Sequence, residues 1–376
     1  MLLKGIHLTL LMGPVVPVPA PQIVMDALQS VQVTSNAGEP SGFQLTFGVN
    51  KKSPLHTLLL LSGGSITPLL RVILVVTLNG TPQVLMDGVV TNHATTPGGE
   101  GGQATLTLTG RDLTAVMDLQ ELSGIPYPAM MAEARVALIL LKYAVFGLAP
   151  VIIPALFTDL PNPVERYPTQ QGTDLQYIRE LASEVGYVFY IEPGPAPGVN
   201  IAYWGPEIKV GVPQPALNMD MDAHTNVESL NFNLETVENK LPIVFIQNSL
   251  TKFPLPIPIP NLNPLQPPLG LIPPPQQGLE FLRDTAKLSP AQALAVGVAV
   301  AARAQDAVKG SGQLDVLRYG RPLKARQLVG VRGAGPAFDG LYFVKQVTST
   351  LKRGEFKQSF ELTRNGLISI TPRVPA

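Results

Sequence analysis

The stretch T-P-L-L-R-V-I-L-V-V-T-L-N-G at residues 67–80 opens a pattern that returns later in the chain. It continues with M-D-G-V-V-T-N-H at 86–93 and A-T-L-T-L-T-G-R-D-L at 104–113. The second copy reads R-P-L-K-A-R-Q-L-V-G-V-R-G at 321–333, F-D-G-L-Y-F-V-K-Q-V-T at 338–348 and S-F-E-L-T-R-N-G-L at 359–367. Pro-Leu, Asp-Gly and the closing Leu-Thr keep their register within about two residues. The sequence therefore predicts one β unit that occurs twice.

The residues around the first copy read as β structure. Phe43, Leu45 and Phe47 alternate along one predicted strand, and the apolar run Leu70–Leu78 ends at the hairpin pair Asn79-Gly80. Short strands at this spacing predict a closed or sandwiched sheet. We expect a first β domain at 1–110, a middle α+β domain at 111–215 and a second β domain at 216–376. The fold class is mainly β with an α+β insertion.

Composition excludes several classes of protein. Lys+Arg and Asp+Glu both number 27, so no global field attracts nucleic acid or an anionic membrane. Charged residues are 14% of the chain against 45% hydrophobic, which is low charge for a soluble monomer and indicates surface covered by partner subunits. There are no cysteines, which excludes disulfides and thiolate sites.

Two apolar stretches are candidates for export or membrane insertion. The N-terminus lacks a cleavage site, and Ile6, Leu8, Leu10 and Met12 alternate, so we predict a first strand and no signal peptide. The run Val136–Phe157 contains a lysine and two prolines, which favours a buried helix and a loop over a membrane-spanning pore.

Helical periodicity begins after the first β domain. Arg111–Gln120 and Ala129–Phe146 are predicted helices, and Asp174–Val185 is the clearest one, with a Thr173/Gln176 capping box. The strands Tyr187–Ile191 and Val199–Trp204 follow it.

Proline dominates the next segment. Residues 251–278 hold the runs P-L-P-I-P-I-P and P-P-P, which predict an extended polyproline-like arm that lies against a protein surface. Ser289-Pro290 then opens an Ala-rich helix predicted to reach about residue 309, with Gly310 and Gly312 as terminators.

No catalytic, cofactor or metal site is predicted. Asp220, Asp222 and His224 alternate and would share one face of a strand, but a solvated charged face explains them better than metal binding. The pairs Asp87-Gly88 and Asp339-Gly340 are interpreted as turns in the two copies, with Asp bonding backbone and Gly supplying positive φ. Trp204 and its neighbouring tyrosines could stack a sugar, although their alternation favours core packing.

Residues 167–191 read Y-P-T-Q-Q-G-T-D-L-Q-Y-I-R-E-L-A-S-E-V-G-Y-V-F-Y-I. This segment resembles phage late control D proteins, which are similar to the T4-type baseplate hub and to the N-terminal part of type VI secretion spike proteins. The positions that match the family pattern here are Gly172, Asp174, Leu181, Ala182 and Gly186. At the C-terminal end they are Asp339, Gly340, Arg364 and Gly366. The Pro-rich arm departs from that pattern.

The resemblance implies a hub of a contractile injection machine. Such hubs are trimers in which each chain contributes two tube-like β-barrels, giving pseudo-sixfold symmetry between a threefold spike and a sixfold inner tube. The implied partners are further copies of itself, an inner tube protein, a separate spike or needle protein and other baseplate proteins, in a particle assembled in the cytoplasm. No nucleic acid, membrane or enzymatic activity is implied. The alternatives are a carbohydrate-binding or cell-wall-degrading tail protein, or a membrane pore.

Overall fold

The computed structural model describes most of the chain, and strands dominate it. The described residues are 2–3, 5–49, 69–97, 104–155, 168–235, 240–247, 253–260, 263, 265–282, 285, 290–304, 306–371 and 374. The Gly-rich turn expected between the second and third strands of the first copy, at 98–102, and the expected helix cap at Ser289 lie outside this set.

In the described ranges, fourteen strands form one sheet. They are β1 (Leu2–Leu3), β2 (Ile6–Gly13), β3 (Val18–Pro19), β4 (Leu28–Asn36), β5 (Gly42–Val49), β6 (Arg71–Leu78), β7 (Thr81–Thr96), β8 (Ala104–Asp112), β12 (Gln214–Asn218), β13 (Val227–Leu234), β18 (Val308–Asp315), β19 (Leu328–Arg332), β20 (Gly340–Lys352) and β21 (Glu355–Arg364). The order across the sheet is β1-β2-β6-β7-β8-β5-β4-β20-β21-β18-β13, with β3 beside β2, β19 beside β20 and β12 beside β19. The short helix α1 (Gln22–Ala27) lies between β3 and β4.

The duplication predicted from the sequence is present in the topology. The order β6-β7-β8-β5-β4 of the first β unit returns as β19-β20-β21-β18-β13 in the second β unit. Each strand of one series pairs antiparallel with its neighbours, as in the other series. The prediction of a mainly β chain with an α+β insertion is therefore confirmed.

Local sequence explains the opening strands. Ile6, Leu8, Leu10 and Met12 point into the core from β2, as their alternation predicts. Asn79 and Gly80 both have positive φ, 50° and 80°, which is the twisted two-residue turn that joins β6 to β7.

The middle unit is a small α+β layer. It comprises α2 (Thr114–Met117), α3 (Ala132–Leu141), a 3-10 helix (Ala144–Phe146), α4 (Asp174–Glu184) and the sheet β10-β11-β9, with β9 (Leu148–Ile152), β10 (Val188–Pro193) and β11 (Asn200–Gly205). The capping box on α4 is formed as predicted, and Gly186, with φ 72°, follows its last turn. The helix predicted over 111–120 is wrong in length, because Arg111 and Asp112 still pair with the sheet.

An insertion separates β13 from β18 in the second β unit. It contains β14 (Lys240–Gln247), β15 (Pro254–Pro258), β16 (Gly270–Ile272), β17 (Gly278–Phe281) and α5 (Pro290–Ala304). β14 lies between β15 and β17, and β16 pairs with β22 (Leu367–Ser369) near the C-terminus. The last helix of the chain, α6 (Val316–Tyr319), follows β18.

Two predictions for the insertion are wrong. Residues 254–258 are an edge strand rather than a polyproline helix. The N–H of Ile259 donates to the carbonyl of Pro242 at 3.0 Å. Because backbone nitrogens point alternately to the two sides of a strand, the nitrogens of Pro254, Pro256 and Pro258 point to the open edge, where a missing N–H donor costs no hydrogen bond.

The Ala-rich helix also ends earlier than expected, at Ala304. Gly310 and Gly312 are not its terminators, because both lie in β18. A Cβ at Gly312 would lie 2.4 Å from the carbonyl oxygen of Ser229 on the neighbouring strand, so close strand packing explains this glycine.

Candidate functional site

The two β units join edge to edge within the chain. β4 pairs antiparallel with residues 346–352 of β20, and the hydroxyl oxygens of Thr34 and Thr348 are 3.1 Å apart. The N–H of Ala37 donates to the carbonyl of Lys345 at 2.8 Å. Hydrogen-bonded and non-hydrogen-bonded pairs alternate along such a ladder, so Thr34 and Thr348 form one of the closely spaced non-hydrogen-bonded pairs. We call this contact the internal seam.

Matching β-bulges align the two units residue by residue. One bulge falls at residues 28–30 in the first β unit and at 227–229 in the second. Another falls at 90–92 and at 344–346. An extra residue at equivalent places in both copies is a designed feature of the sheet rather than an accident. With the bulges superposed, Asn233 corresponds to Thr34, and Ala94 corresponds to Thr348.

The counterparts of the internal seam are open edges. Among the described residues, β13 pairs only with β18, and residues 92–96 of β7 pair only with β8. Most of both segments is exposed, including Asn233 and Ala94. An open edge presents unpaired N–H and C=O groups that another strand can join. The chain thus has two free edges that would complement each other if they repeated the internal seam.

Eight consecutive strands run between these two edges, in the order β7-β8-β5-β4-β20-β21-β18-β13. One face of this segment packs on the hydrophobic core. Uncharged polar side chains occupy the centre of the other face. They are Ser30, Gln32, Thr34, Gln44, Thr46, Thr105, Thr107, Thr109, Gln346, Thr348 and Thr350. Toward the second β unit, Lys357 pairs with Glu228 at 2.9 Å and Lys309 pairs with Glu235. This polar face carries little net charge.

A buried ion pair joins the first β unit to the middle unit. The Arg71 guanidinium donates from Nε and Nη2 to the two carboxylate oxygens of Asp87 at 2.8 and 2.7 Å. It also donates to the carbonyls of Val15 and Phe146, both at 2.8 Å, and Asn200 donates to Asp87 at 2.8 Å. Both charged side chains are at most 3% exposed.

This geometry overturns the interpretation of Asp87-Gly88 as a turn. Both residues lie inside β7, and Gly88 has no positive φ. A Cβ on Gly88 would lie 2.2 Å from the carbonyl oxygen of Arg111, so close strand approach, not turn geometry, requires glycine. Arg71 was not predicted from the sequence to have this role. Its signal is that it is the one charge in the apolar run at 69–78.

In the second copy Asp339-Gly340 does sit at a turn. Asp339 accepts the N–H of Ala334 at 2.8 Å, and Gly340 has φ 128°. The fully buried guanidinium of Arg364 donates to the carbonyls of Gly366, Asp339 and Ala337 at 2.6–2.8 Å. Burial lowers the pKa of Arg364. It anchors the strand end to the turn without a carboxylate partner in the described part of the chain.

The remaining motif residues organise the middle unit. Asp174 is fully buried and accepts from Lys142, Tyr143 and Gln170 at 2.7–3.1 Å. Burial, reinforced by the bond to Asp174, raises the pKa of the Tyr143 hydroxyl.

Leu181 and Ala182 are buried in the core of the same unit, and Gly172, at φ 74°, precedes the helix cap. Gly186 lets α5 approach, because an added Cβ would lie 2.8 Å from the carbonyl oxygen of Ala295. Each of these residues shapes packing, and their correspondence to the late control D pattern stays a prediction.

Two carboxylates lie where the units meet, Asp112 fully buried and Asp306 partly buried. Desolvation raises the pKa of Asp112, against hydrogen bonds from Thr114 and Ser41 that lower it. Desolvation also raises the pKa of Asp306, which pairs with Lys209 at 2.5 Å. Each is committed to local partners, so neither is placed as an acid or base facing a substrate.

The residues considered for chemistry do not form a site. Asp220 precedes a 3-10 helix over Asp222–His224, so the premise that Asp220, Asp222 and His224 share a strand face is wrong. No group of three metal-ligating side chains occurs within the described ranges. Trp204 is fully buried, with Tyr187 packed edge-on against it at 5.0 Å, which agrees with core packing. In the same ranges, no helix has the length and apolarity to cross a membrane.

Comparison with known proteins rests on structure alone, because no family model and no curated protein matches the chain. It is similar to a tail protein from Neisseria meningitidis, with 13% identity, a TM-score of 0.61 and 97% and 98% of the two chains covered. It is also similar to the 43 kDa tail protein of prophage MuSo2 from Shewanella oneidensis, with 11% identity, a TM-score of 0.61 and 96% and 99% of the two chains covered. A type VI secretion system component from E. coli is similar with 12% identity, a TM-score of 0.52 and coverage of 93% of this chain and 75% of that protein.

These likenesses extend over nearly the whole chain, including both β units and the middle unit. The chain therefore has the fold of phage tail and type VI spike-related proteins, as the resemblance in residues 167–191 and 320–366 predicts.

Proposed function

We propose that this chain is the structural hub of a contractile injection machine. In this proposal it is a homotrimer that joins a threefold spike to a sixfold inner tube and nucleates assembly of the tube. The fold supports this, because the similar E. coli protein is described as a type VI component that resembles the T4 tail proteins gp27 and gp5. The proposal requires no enzymatic activity.

The free edges carry the proposal. In one chain, the internal seam already joins two like β units through β4 and β20. If β13 of one copy met residues 92–96 of β7 in the next copy, each chain-to-chain contact would repeat that seam. Repetition of one rotation closes a ring, and three copies would then present six like units. Residues 1–110 and 216–376 would supply the two barrel-like domains of each copy.

The size of such a ring is reasonable for a conduit. Three copies of the eight-strand segment give 24 strands. At roughly 4.8 Å per strand the circumference is about 115 Å and the backbone diameter about 37 Å, before strand tilt widens it. The apolar cores lie on the opposite side of the segment from its polar face. Closure would therefore turn that face inward to line the bore.

The expected partners follow from this arrangement. An inner tube protein would add to one rim, a separate spike protein would bind the other, and further baseplate proteins would surround the ring. The ring would assemble in the cytoplasm as part of a soluble particle. Since the 27 Lys+Arg residues balance the 27 Asp+Glu residues, and Lys309 and Lys357 form ion pairs, nucleic acid is not an expected ligand.

A disulfide test follows from the absence of cysteine. The variant carrying Ala94→Cys and Asn233→Cys places one thiol on each free edge, at positions equivalent to Thr348 and Thr34. Non-hydrogen-bonded antiparallel pairs bring Cα atoms to about 4.5 Å, which suits a disulfide. Mild oxidation should give a covalent species of three chains on non-reducing gels.

Matched variants interpret the gel. Thr34→Cys with Thr348→Cys should cross-link within one chain, because that pair is already in contact. Either free-edge cysteine alone should yield no covalent trimer. A monomer by light scattering at micromolar concentration, together with no cross-linked trimer in the double variant, would contradict the hub proposal.

A further inference from the structure

The insertion leaves one face of its sheet bare. Val244, Ile257 and Ile259 of this region pack with α5 in a small core. On the opposite face, Phe245 stacks on Phe281 with ring centroids 6.0 Å apart. Phe281 and Leu279 are each 55% exposed. Pro256 lies opposite Phe245 on this face, where Phe245 is half-buried and Ile243 is only 8% exposed, so the exposed apolar surface consists of Phe281, Leu279 and Pro256.

A second bare apolar surface lies on the middle unit. Leu138, Leu141 and Val145 follow one another on α3 and the adjoining 3-10 helix at helical spacing. They are 46%, 64% and 63% exposed, while Val136, Ile139 and Leu140 fill the core from the other side of the helix. A stripe of this kind on a chain with so few charges marks an interaction surface.

These two surfaces adjoin different β units of one chain. The 3-10 helix side of the middle unit contacts the first β unit, where Arg71 bonds to the carbonyl of Phe146. The side formed by β10 and the end of α4 contacts the second β unit and the insertion. The guanidinium carbon of Arg326 lies 4.2 Å from the centroid of the Tyr190 ring on β10, and α5 packs beside Gly186.

The insertion is also rooted at the free edge of the second β unit. The N–H of Glu235, which follows β13, donates to the carbonyl of Ala307, which precedes β18, at 2.8 Å. The corresponding connection in the first β unit is the short one between β4 and β5. There Ala37 bonds to Lys345 of the β unit across the internal seam. By the same correspondence, the root of the insertion stands beside Thr91 of the next copy, close to that copy's Arg71 and Phe146.

We propose that the bare face of the insertion docks on the Leu138–Leu141–Val145 stripe of the next copy. The contact rests on the proposed function, since it requires the trimeric ring. It makes the insertion a clamp that crosses each chain-to-chain seam and holds neighbouring middle units together. Both surfaces are apolar and present exposed side chains in the described chain, and the ring order would bring them to the same side of one seam.

The test compares four full-length variants by mass photometry over a dilution series. Phe245→Ser with Phe281→Ser should raise the dissociation constant of the trimer at least about tenfold, and so should Leu141→Ser with Val145→Ser. The variant with all four substitutions should raise the dissociation constant by less than the product of the two separate factors, because both pairs remove the same contact. Val16→Ser with Val212→Ser, at two other exposed positions, is the matched control and should stay within about twofold.

A cross-link provides the second measurement. Leu279→Cys with Leu141→Cys, treated with a short bismaleimide, should join neighbouring chains. Cross-links confined to one chain, or serine variants that behave as the control, would overturn the clamp. The seam disulfide between positions 94 and 233 distinguishes the two proposals. If it still forms a covalent trimer, only the clamp fails; if it does not, the hub proposal and the clamp fail together.

Discussion

Removal of the Asp87 carboxylate is the sharpest perturbation of the fold itself. Asp87 accepts three hydrogen bonds, two from Arg71 and one from Asn200 of the middle unit. Asp87→Ala leaves the Arg71 charge buried at 3% exposure without its counter-ion. Asn200 loses an acceptor at the same time. The change should therefore loosen the first β unit from the middle unit as well as destabilise the chain.

The magnitude follows from what remains around Arg71. Removing one partner of a buried ion pair costs about 3–5 kcal/mol. The carbonyls of Val15 and Phe146 still accept from the guanidinium at 2.8 Å, so the lower end, about 3 kcal/mol, is expected. Glu355→Ala is the matched control, because its pair with Lys357 is exposed and Lys357 keeps Glu228. That change should cost less than about 1 kcal/mol.

The single tryptophan provides the assay. Trp204 is fully buried in the middle unit, on the same strand as Asn200, so its fluorescence reports unfolding next to the perturbed pair. Urea titrations at one fixed protein concentration give the midpoint and slope for each variant. Arg71→Met completes a double-mutant cycle with Asp87→Ala.

The cycle also gives the refuting result. If Arg71 and Asp87 stabilise the fold as a pair, the double variant should lose at least about 2 kcal/mol less unfolding free energy than the two single variants lose in sum. Additive effects, or an Asp87→Ala cost below about 1 kcal/mol, would show that the ion pair contributes nothing beyond its separate hydrogen bonds.

Three further predictions use single substitutions and the same titration. Gly88→Ala should cost more than about 2 kcal/mol, since its Cβ would lie 2.2 Å from the carbonyl oxygen of Arg111, whereas Gly38→Ala, with nothing within 4 Å, should be neutral within about 0.5 kcal/mol. Thr173→Ala should cost about 1 kcal/mol by removing the N-cap of α4 and its bond to Asp118, and Thr173→Ser should restore most of it. Burial raises the pKa of Asp112, so ionising it in the native state costs stability at neutral pH; as the pH falls through that raised pKa toward 3.8 the cost disappears, and the wild type should gain stability relative to Asp112→Asn. A wild-type to Asp112→Asn difference that does not change over that pH range would contradict the assignment.

Much of the fold could be predicted because it is written in local patterns. The alternation at Ile6–Met12 predicts a half-buried strand, and Asn79-Gly80 predicts a tight hairpin, since both residues adopt positive φ readily. Thr173 and Gln176 predict the start of α4 because a capping box satisfies backbone donors locally. Recurrence of Pro-Leu, Asp-Gly and Leu-Thr predicts the duplicated topology.

Predictions were wrong where a residue's conformation depends on contacts with a distant part of the chain. Asp-Gly is a turn in one copy and strand interior in the other, because a carboxylate can bond to nearby backbone or to an arginine on another strand. Gly310 and Gly312 resemble helix terminators in the sequence, but each is required by close strand packing, Gly310 against Phe232 and Gly312 against Ser229 and Phe360. The prolines at 254–258 are typical of a polyproline segment, but this segment pairs with β14, as the bond from the Ile259 N–H to the Pro242 carbonyl shows.

The sequence by itself determined the strand segments, the amphipathic α4 and the existence of two like β units, since these depend on residues within one turn or one strand of each other. Only the tertiary structure decided that the units join through β4 and β20, that Arg71 holds Asp87, and that β13 and the end of β7 have no second pairing partner among the described residues. Pairing between edges depends on backbone groups that every residue carries. Side-chain patterns therefore do not encode which strands meet, and that choice emerges when bulges, twist and core packing act together.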